Sequence, residues 1–546
     1  MSPHAIANAC GVCDATGENV PQTVFGKVLC LQARIRTTST TLFLVTVGIT
    51  ATGYVRELVL ASLFGVGAEM DAFYFSLAVV IAVHDLVFVG ALGASIVPLL
   101  NVDDINSKAS LAARARFILT ATLVVAAIAA ILSTALSIGM PRITELLAPG
   151  MSDQVRDISN TFGRVLAWSL PAAALTTLFT LVLNAHRRFA IAALAYFANN
   201  VIFIAIVLLI APSLGARMLP LAAMAGPILT TLALAIHLIG LGLLRPVRPD
   251  LSLAFFRSFW RLSRMLLLSL GIGSTGGLLM ASQLIVRSFA AKYGDGSIAA
   301  LGYAFRLYEV PLSLIAGPAG TLALPMVASL YTGGRFSEIA HVCRQIILWG
   351  LIVLFPAAFV AWGGADLIVQ VLLRRGNFDA DAARITAEAL RGFAPAVMTE
   401  AAFVVFFRVF YALRMPGRTV FVAFVTLASL VGLLLLIPDS AFISVPLCLS
   451  AAFTVAAFLL GASLVLALGW DALPNGWQLG RWLAGSGLGF AAWKFISVNS
   501  ADGAQLSALS AFLCVYFLSI GFLFPDGRRE ASRFVREAAN RAGWRR

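Results

Sequence analysis

Two stretches of this 546-residue chain carry ionisable side chains inside apolar surroundings. The first, GYVRELVLASLFGVGAEMDAFYFSLAVVIAVHDLVFVGALGASIVPLL from Gly53 to Leu100, contains Arg56, Glu57, Asp71, His84 and Asp85. The second, GYAFRLYEVPLSLIAGPAGTLALPM from Gly302, contains Arg306 and Glu309. A charge at hydrocarbon depth costs roughly 2.5–3.5 kcal/mol or more, so such groups face a bundle interior or a watery cavity. Gly65 and Gly67 interrupt the first stretch and divide it into two spans joined by a very short turn. One charged, Gly/Pro-interrupted stretch in each half of a hydrophobic chain is the pattern that marks a transporter's central cavity.

Each of these groups has a chemical reading beside a packing one. Asp71 and Glu309 are of a type to bind a coupling cation, to exchange a proton, or only to neutralise arginines, and neutralisation is the plainest of the three. His84 with Asp85 forms a pair that can sense protons near neutral pH, although a histidine in a bundle more often only satisfies hydrogen bonds. Arg391 and Glu400, nine residues apart, sit at roughly opposed angles about two and a half turns apart on one helix and are not an obvious pair. Pro98, Pro171, Pro311, Pro318 and Pro325 are places where a span can bend, or prolines that a membrane helix tolerates. The sequence has no phosphate-binding glycine loop, no credible Ser/His/Asp arrangement and no metal cluster. No enzymatic activity, cofactor or resident metal is expected.

The elements that hold these residues follow from composition. Sixty per cent of the residues are hydrophobic, only 12% are charged, and the mean hydropathy is +0.92. A soluble protein with that much apolar surface would aggregate. Continuous apolar runs of about 20 residues recur between short polar breaks, which predicts transmembrane helices and excludes an alternating β-barrel. Candidate spans fall at 40–63, 71–100, 117–139, 161–184, 189–212, 218–243, 263–289, 297–330, 345–373, 386–413, 418–437, 441–469, 477–497 and 505–525, about fourteen in all. The fold class is all-α and polytopic.

The net charge of +13 does not indicate nucleic acid, because the basic residues collect at span ends and in alternate loops. Arg34 and Arg36 precede the first span, Lys108, Arg114 and Arg116 follow the second, and Arg187 and Arg188 follow the fourth. The last 22 or so residues hold seven arginines against three acids. This pattern places both termini in the cytoplasm, with loop 374–384 the exception. Of the cysteines, Cys10 and Cys13 form a lone CxxC, too few ligands for a zinc site that needs about four. Cys30, Cys343, Cys448 and Cys514 lie in or beside apolar runs as small core residues. The expected organisation is a cytoplasmic tail over 1–37, a first lobe over 38–244, an amphipathic linker over 245–262, a second lobe over 263–470, two additional helices over 471–525 and a basic tail over 526–546.

Six segments carry a family resemblance: GYVRELVLASLFGVGAEMDAFYF at 53–75, APG at 148–150, LNAHRRFAIAALAYFANN at 183–200, YAFRLYEVPLSLIAGPAGTLALPMVASL at 303–330, RRGNFDADAARIT at 374–386 and FYALRMPGRT at 410–419. In that order they resemble the MviN/MurJ family of lipid-linked precursor flippases, within the multidrug/oligosaccharidyl-lipid/polysaccharide exporter superfamily. The resemblance implies two six-helix lobes in a V that opens alternately to each side, with two extra C-terminal helices. It implies a polyprenyl-pyrophosphate-linked saccharide as substrate, such as lipid II, in a bacterial inner membrane, with membrane lipids as further partners. With no nucleotide site, transport runs on an ion gradient with its coupling ion, on the membrane potential, or on consumption of the flipped lipid. The family's cationic cavity maps here onto Arg56, Asp71 and Arg306, with Glu309 beside the last.

On that mapping Arg56 and Arg306 anchor the pyrophosphate through permanently charged bidentate donors. The competing reading is that Arg56 pairs with Asp71 or Glu57 to lock two helices. His84 joins the candidate substrate-binding residues because, with Asp85, it stands where the family usually carries an arginine pair. Thr50 likewise replaces a usual arginine, and Val89-Gly90 stands for a Glu-Gly. These departures favour a relative that handles a different polyprenyl-linked glycan. The rival readings are a multidrug antiporter of the same superfamily, which would want an acidic cavity, and a non-transporting scaffold for envelope synthesis.

Overall fold

The computed structural model describes residues 47–89, 108–186, 188–244, 281–436 and 441–474, with Leu92, Trp260, Arg264 and scattered positions over 476–516. The tail over 1–37, most of the 245–262 linker, most of the additional helices and the basic tail lie outside the described residues. So do Cys10, Cys13, Cys30, Cys514, Pro98 and Arg187.

The described residues form helices and contain no strand. In the first half these are α1 (Val47–Phe64), α2 (Ala68–His84), α3 (Lys108–Leu147), α4 (Asp153–Leu166), α5 (Leu170–Ala185), α6 (Phe189–Leu214) and α7 (Leu219–Gly240). In the second they are α8 (281–290), α9 (Ser297–Thr332), α10 (Phe336–Gly363), α11 (Ala365–Leu372), α12 (Ala380–Phe393), α13 (Ala396–Ala412), α14 (Pro416–Leu436) and α15 (Ser444–Leu468). Eight helical stretches among the described residues are long and apolar enough to cross a membrane, and a bent pair makes a ninth. Leu209, Leu436, Phe458 and Leu466 stand exposed on their flanks, as lipid-facing side chains do.

Four expected spans differ in the structure. The 161–184 run is shared between α4 and α5, which a tighter 3-10 turn over Ala167–Ser169 separates. The 345–373 run is two helices, because the Gly363-Gly364 pair ends α10 and α11 restarts beside it. The 386–413 run is α12 and α13, bent by 46° where Pro395 removes a backbone donor. The 117–139 run is only the apolar middle of the 40-residue α3, which continues past it through Arg142 and Glu145. The Gly65–Gly67 turn stands as expected, with Gly65 at φ 64°.

The helices sort into two groups. In the first, α2 packs on α4, α3 on α4 and α5, and α7 on both α5 and α6. In the second, α9 packs on α10, α12 and α13, while α15 packs on α13 and α14. Small polar side chains tie helices within each group. The Ser76 hydroxyl donates to the Ser159 carbonyl, and the Ser450 hydroxyl to the Gly392 carbonyl at 2.7 Å. Such bonds hold helices together where apolar packing is no better than lipid.

The groups meet at the end of the bundle that carries the 65–67 turn. Backbone approaches backbone there: the Asn377 N–H donates to the Ser62 carbonyl at 2.9 Å, and the Asn377 side chain donates to the Leu63 carbonyl at 2.6 Å. The contact is open only to glycine, because a Cβ on Gly65 would strike the Asn377 carbonyl and one on Gly376 the Ser62 carbonyl. Both glycines also take a positive φ. Beneath them Tyr74 meets Tyr303 edge to face at 5.4 Å, and Tyr303 meets Phe378 at 5.5 Å.

Candidate functional site

The site is built on α1, α2, α6 and α9. Arg56 and Glu57 are consecutive on α1, and Glu57 is buried to 1% exposure. Its carboxylate accepts from Arg56 Nη2 at 2.7 Å and lies 3.5 Å from Arg306 Nε of α9. The Tyr74 hydroxyl of α2 donates to its other oxygen in a short hydrogen bond. One carboxylate therefore joins the guanidinium groups of the two halves. A buried carboxylate is tolerable only with such partners. Arg306 Nη1 also donates to Glu309 Oε2 at 2.6 Å, one helical turn away.

Above this cluster lies a cavity of about 360 Å³. It is lined from α1 by Ile49, Thr50, Gly53, Tyr54 and Arg56, from α6 by Tyr196, Asn199 and Asn200, and from α9 by Arg306, Glu309, Val310 and Ser313. The Arg56 guanidinium lies over the Phe203 ring of α6, 5.5 Å from its centroid. The side chains of Arg306 and Glu309 are 37% and 36% exposed, so they face the cavity rather than close it off. The formal charges of Arg56, Arg306, Glu57 and Glu309 cancel. An anion entering this space competes with carboxylates for guanidinium groups, and Glu309 is the more accessible of the two competitors.

The structure thus brings Arg56, Arg306 and Glu309 together, and places Asp71 and His84 elsewhere. Arg56 pairs with Glu57 and not with Asp71. Asp71 is 2% exposed at the turn end, where its two carboxylate oxygens accept from the Gly296 and Ala299 N–H groups, each at 2.6 Å. It caps the first turn of α9 across the boundary between the groups, where the helix's free N–H groups favour a negative charge. The Tyr303 hydroxyl adds a bond to the Gly65 carbonyl at 3.0 Å.

His84 lies within the first group. Its Nδ1 is 2.7 Å from Asp85 Oδ1, and its Nε2 is 3.1 Å from the Thr177 hydroxyl of α5. At this point α2 passes into a wider π turn over Asp85–Val89, a local irregularity common at functional positions. Of the other residues weighed, Arg391 pairs with Asp366 of α11, and Glu400 accepts a short bond from the Tyr308 hydroxyl. Neither lines the cavity. Cys343 and Cys448 are buried free thiols.

Several site residues escaped the sequence reading. Glu57 was named as one of two candidate partners of Arg56, but not as a link to Arg306, and Tyr74 looked like any aromatic on an apolar helix. Arg287 of α8 lies over the Phe305 ring at 5.7 Å, and its buried Nε has no hydrogen-bond partner among the described residues. Its signal was the one used for Arg56, a cation in an apolar run. Asn199-Asn200 offered the same kind of signal, a polar pair amid LAYFANNVIFIAIVLLI.

A profile of the lipid II flippase MurJ family matches residues 60–483. A probable lipid II flippase MurJ of Rhizobium tropici is 28% identical over 340 residues, which cover 62% of this chain and 63% of that protein. The lipid II flippase MurJ of Burkholderia cenocepacia is 28% identical over 349 residues, 62% of this chain and 66% of that one. The alignments thus span just under two thirds of these relatives' own lengths. Among solved structures, a lipid II flippase MurJ in an inward closed conformation superposes with a TM-score of 0.75 at 16% identity, covering 89% of this chain and 99% of that one. An inward-facing multidrug resistance MATE family transporter superposes with a TM-score of 0.61 at 12% identity, covering 79% and 98%. At such identities these likenesses establish the fold.

Proposed function

The chain belongs to the lipid II flippase MurJ family, and from that membership and its arginine-lined cavity we propose that it moves a polyprenyl-pyrophosphate-linked saccharide, lipid II or a related envelope precursor, across the bacterial inner membrane. The observation that carries this reading is the joining of Arg56 and Arg306, from opposite halves, through one buried carboxylate at the floor of a shared cavity. A pyrophosphate cannot enter hydrocarbon unaided, because moving a charge out of water costs many kcal/mol unless fixed partners replace the water. Two guanidinium groups supply those partners, in a geometry suited to phosphate oxygens. A carrier of organic cations would want the opposite charge at the same positions.

In the proposed cycle the 65–67 turn faces outside, as the basic loops at the opposite end require. Asp71, Asn377 and Tyr303 then hold the outer side shut while the headgroup enters from the cytoplasm, its isoprenoid tail remaining in lipid. The pyrophosphate displaces Glu309 from Arg306 and shares Arg56 with Glu57. The two groups of helices then part at the turn end, the Asp71 bonds to Gly296 and Ala299 break, and the headgroup leaves outward. The role of the chain is transport without bond-making chemistry, driven by an ion gradient, the membrane potential or consumption of the flipped lipid. A replacement experiment tests the reading. A bacterium depleted of its essential lipid II flippase expresses this protein, and a membrane-impermeant probe follows lipid II at the outer surface. Restored exposure supports the reading with lipid II itself as cargo. Absence of exposure, with the protein present in the membrane, excludes lipid II.

A further inference from the structure

The charged groups occupy only one pole of the cavity. Of the twelve lining residues, Arg56, Arg306 and Glu309 are charged, six are neutral and polar, and Ile49, Gly53 and Val310 are apolar. Small-molecule pockets are usually lined mostly by apolar side chains with a few polar anchors. This wall has the reverse composition, so it suits a ligand that is itself hydroxylated and uncharged.

The placement is ordered along the helices. Thr50 precedes Arg56 by six residues on α1, and Ser313 follows Arg306 by seven on α9, which puts both residues about 9–11 Å from the arginines along the helix axes, in the same direction. The two hydroxyls meet across the groups at 3.5 Å, the outer limit of a hydrogen bond. Asn200 of α6 reaches Thr52 at 3.4 Å through its Nδ2, also a long bond. The buried Tyr54 hydroxyl has no partner among the described residues. The Ser313 hydroxyl donates to the Val310 carbonyl at 3.0 Å within its own helix, which leaves its oxygen to accept, while the contacts of Thr50 and Asn200 are long; hydroxyl and carboxamide groups can each both donate and accept. A sugar ring presents the same mixed capacity on its rim.

We infer that Thr50, Ser313, Asn200 and Tyr196 form a subsite for the first sugar of the cargo, the uncharged ring joined directly to the pyrophosphate. The inference rests on the proposed function, since it needs a pyrophosphate at Arg56 and Arg306 to set the distance. The cavity volume of about 360 Å³ is at the low end for small-ligand pockets. It takes the pyrophosphate and the adjoining sugar, while the remainder of a larger headgroup lies beyond Thr50 and Ser313. Discrimination among glycans then falls on the first ring.

The test uses the full chain in lipid nanodiscs and two probes: undecaprenyl pyrophosphate, and the same lipid bearing a single N-acetylhexosamine. The wild type binds the glycosylated probe more tightly than the bare one. In the double variant Thr50→Val, Asn200→Leu, affinity for the glycosylated probe falls about tenfold, as expected for two ordinary hydrogen bonds. Affinity for the bare pyrophosphate stays within about twofold. Ser313→Ala, a smaller change, gives the same selective loss at lower amplitude and covers the case of a double variant that does not fold. Equal losses on both probes would assign these residues to packing and overturn the inference. So would unchanged affinity for the glycosylated probe, or equal wild-type affinities for the two. A wild type that binds neither probe would instead refute the pyrophosphate reading, and the sugar subsite with it.

Discussion

Glu309→Gln probes the charge balance of the cavity. In the wild type the Glu309 carboxylate occupies Arg306 Nη1 at 2.6 Å, and the formal charges of Arg56, Arg306, Glu57 and Glu309 cancel. Glutamine keeps the size and an acceptor oxygen but leaves the site with a net positive charge. The pair is about one third exposed on both sides, so solvent screens it and the fully buried Coulomb limit does not apply. A value near the top of the range for exposed pairs, about 1 kcal/mol, is appropriate. Freed of that competitor, Arg306 binds a pyrophosphate about fivefold more tightly. Tighter binding in the starting state also slows release, so turnover falls as affinity rises. The assay is equilibrium binding of undecaprenyl pyrophosphate to the purified protein, paired with a flipping assay on the same preparation. Weaker binding in Glu309→Gln would mean that the carboxylate itself supports the cargo. Unchanged binding would mean that the cargo does not reach Arg306. Either result refutes the displacement step.

Other perturbations follow from the same contacts. Asp71→Asn replaces one of two charge-assisted acceptors at the start of α9 with a donor, costing the turn-end seal about 2 kcal/mol. Thiol probes should then reach a cysteine introduced at a cavity position such as Val310 from outside about thirtyfold more readily; unaltered accessibility would remove Asp71 from the seal. Gly376→Ala places a methyl against the Ser62 carbonyl at φ 58° and should open the same end through roughly 1–2 kcal/mol of backbone strain and the clash. The same thiol accessibility measures it. Arg56→Ala should weaken pyrophosphate binding about tenfold to a hundredfold, and Arg56→Lys should not restore it, since an ammonium lacks the bidentate fork. Full transport with alanine at Arg56 or Arg306 would remove both from the binding site.

How much of this was legible in the sequence depended on the range of each interaction. Arg56 and Arg306 could be found because a permanent charge in an apolar span has few explanations, and the 65–67 turn because two glycines punctuate an otherwise continuous run. The partners were harder. Glu57 joins Tyr74, 17 residues away, and Arg306 on the far half of the chain. Nothing in local spacing distinguishes that arrangement from the pairing of Arg56 with Asp71. Asp71 reads from the sequence as a cation ligand, a proton exchanger or a neutraliser of arginines, yet it caps α9, some 225 residues on. The bend at Pro395 was readable in principle, but the GFAPAVM immediately around it carries no polar residue to mark the break. His84 stood out for its chemistry, and only tertiary packing turned its ring toward Thr177 rather than the arginines.

Carriage of a pyrophosphate-linked lipid across a bilayer by way of Arg56 and Arg306 makes flipping depend on both arginines. The most direct measurement is the fraction of a fluorescent undecaprenyl-pyrophosphoryl sugar that becomes accessible to an impermeant quencher in proteoliposomes holding the purified protein. Rapid exchange between leaflets is expected with the wild type, and exchange at the protein-free rate with Arg56→Ala and with Arg306→Ala. Exchange no faster than in protein-free liposomes for the wild type, or exchange undiminished in both variants, would contradict it.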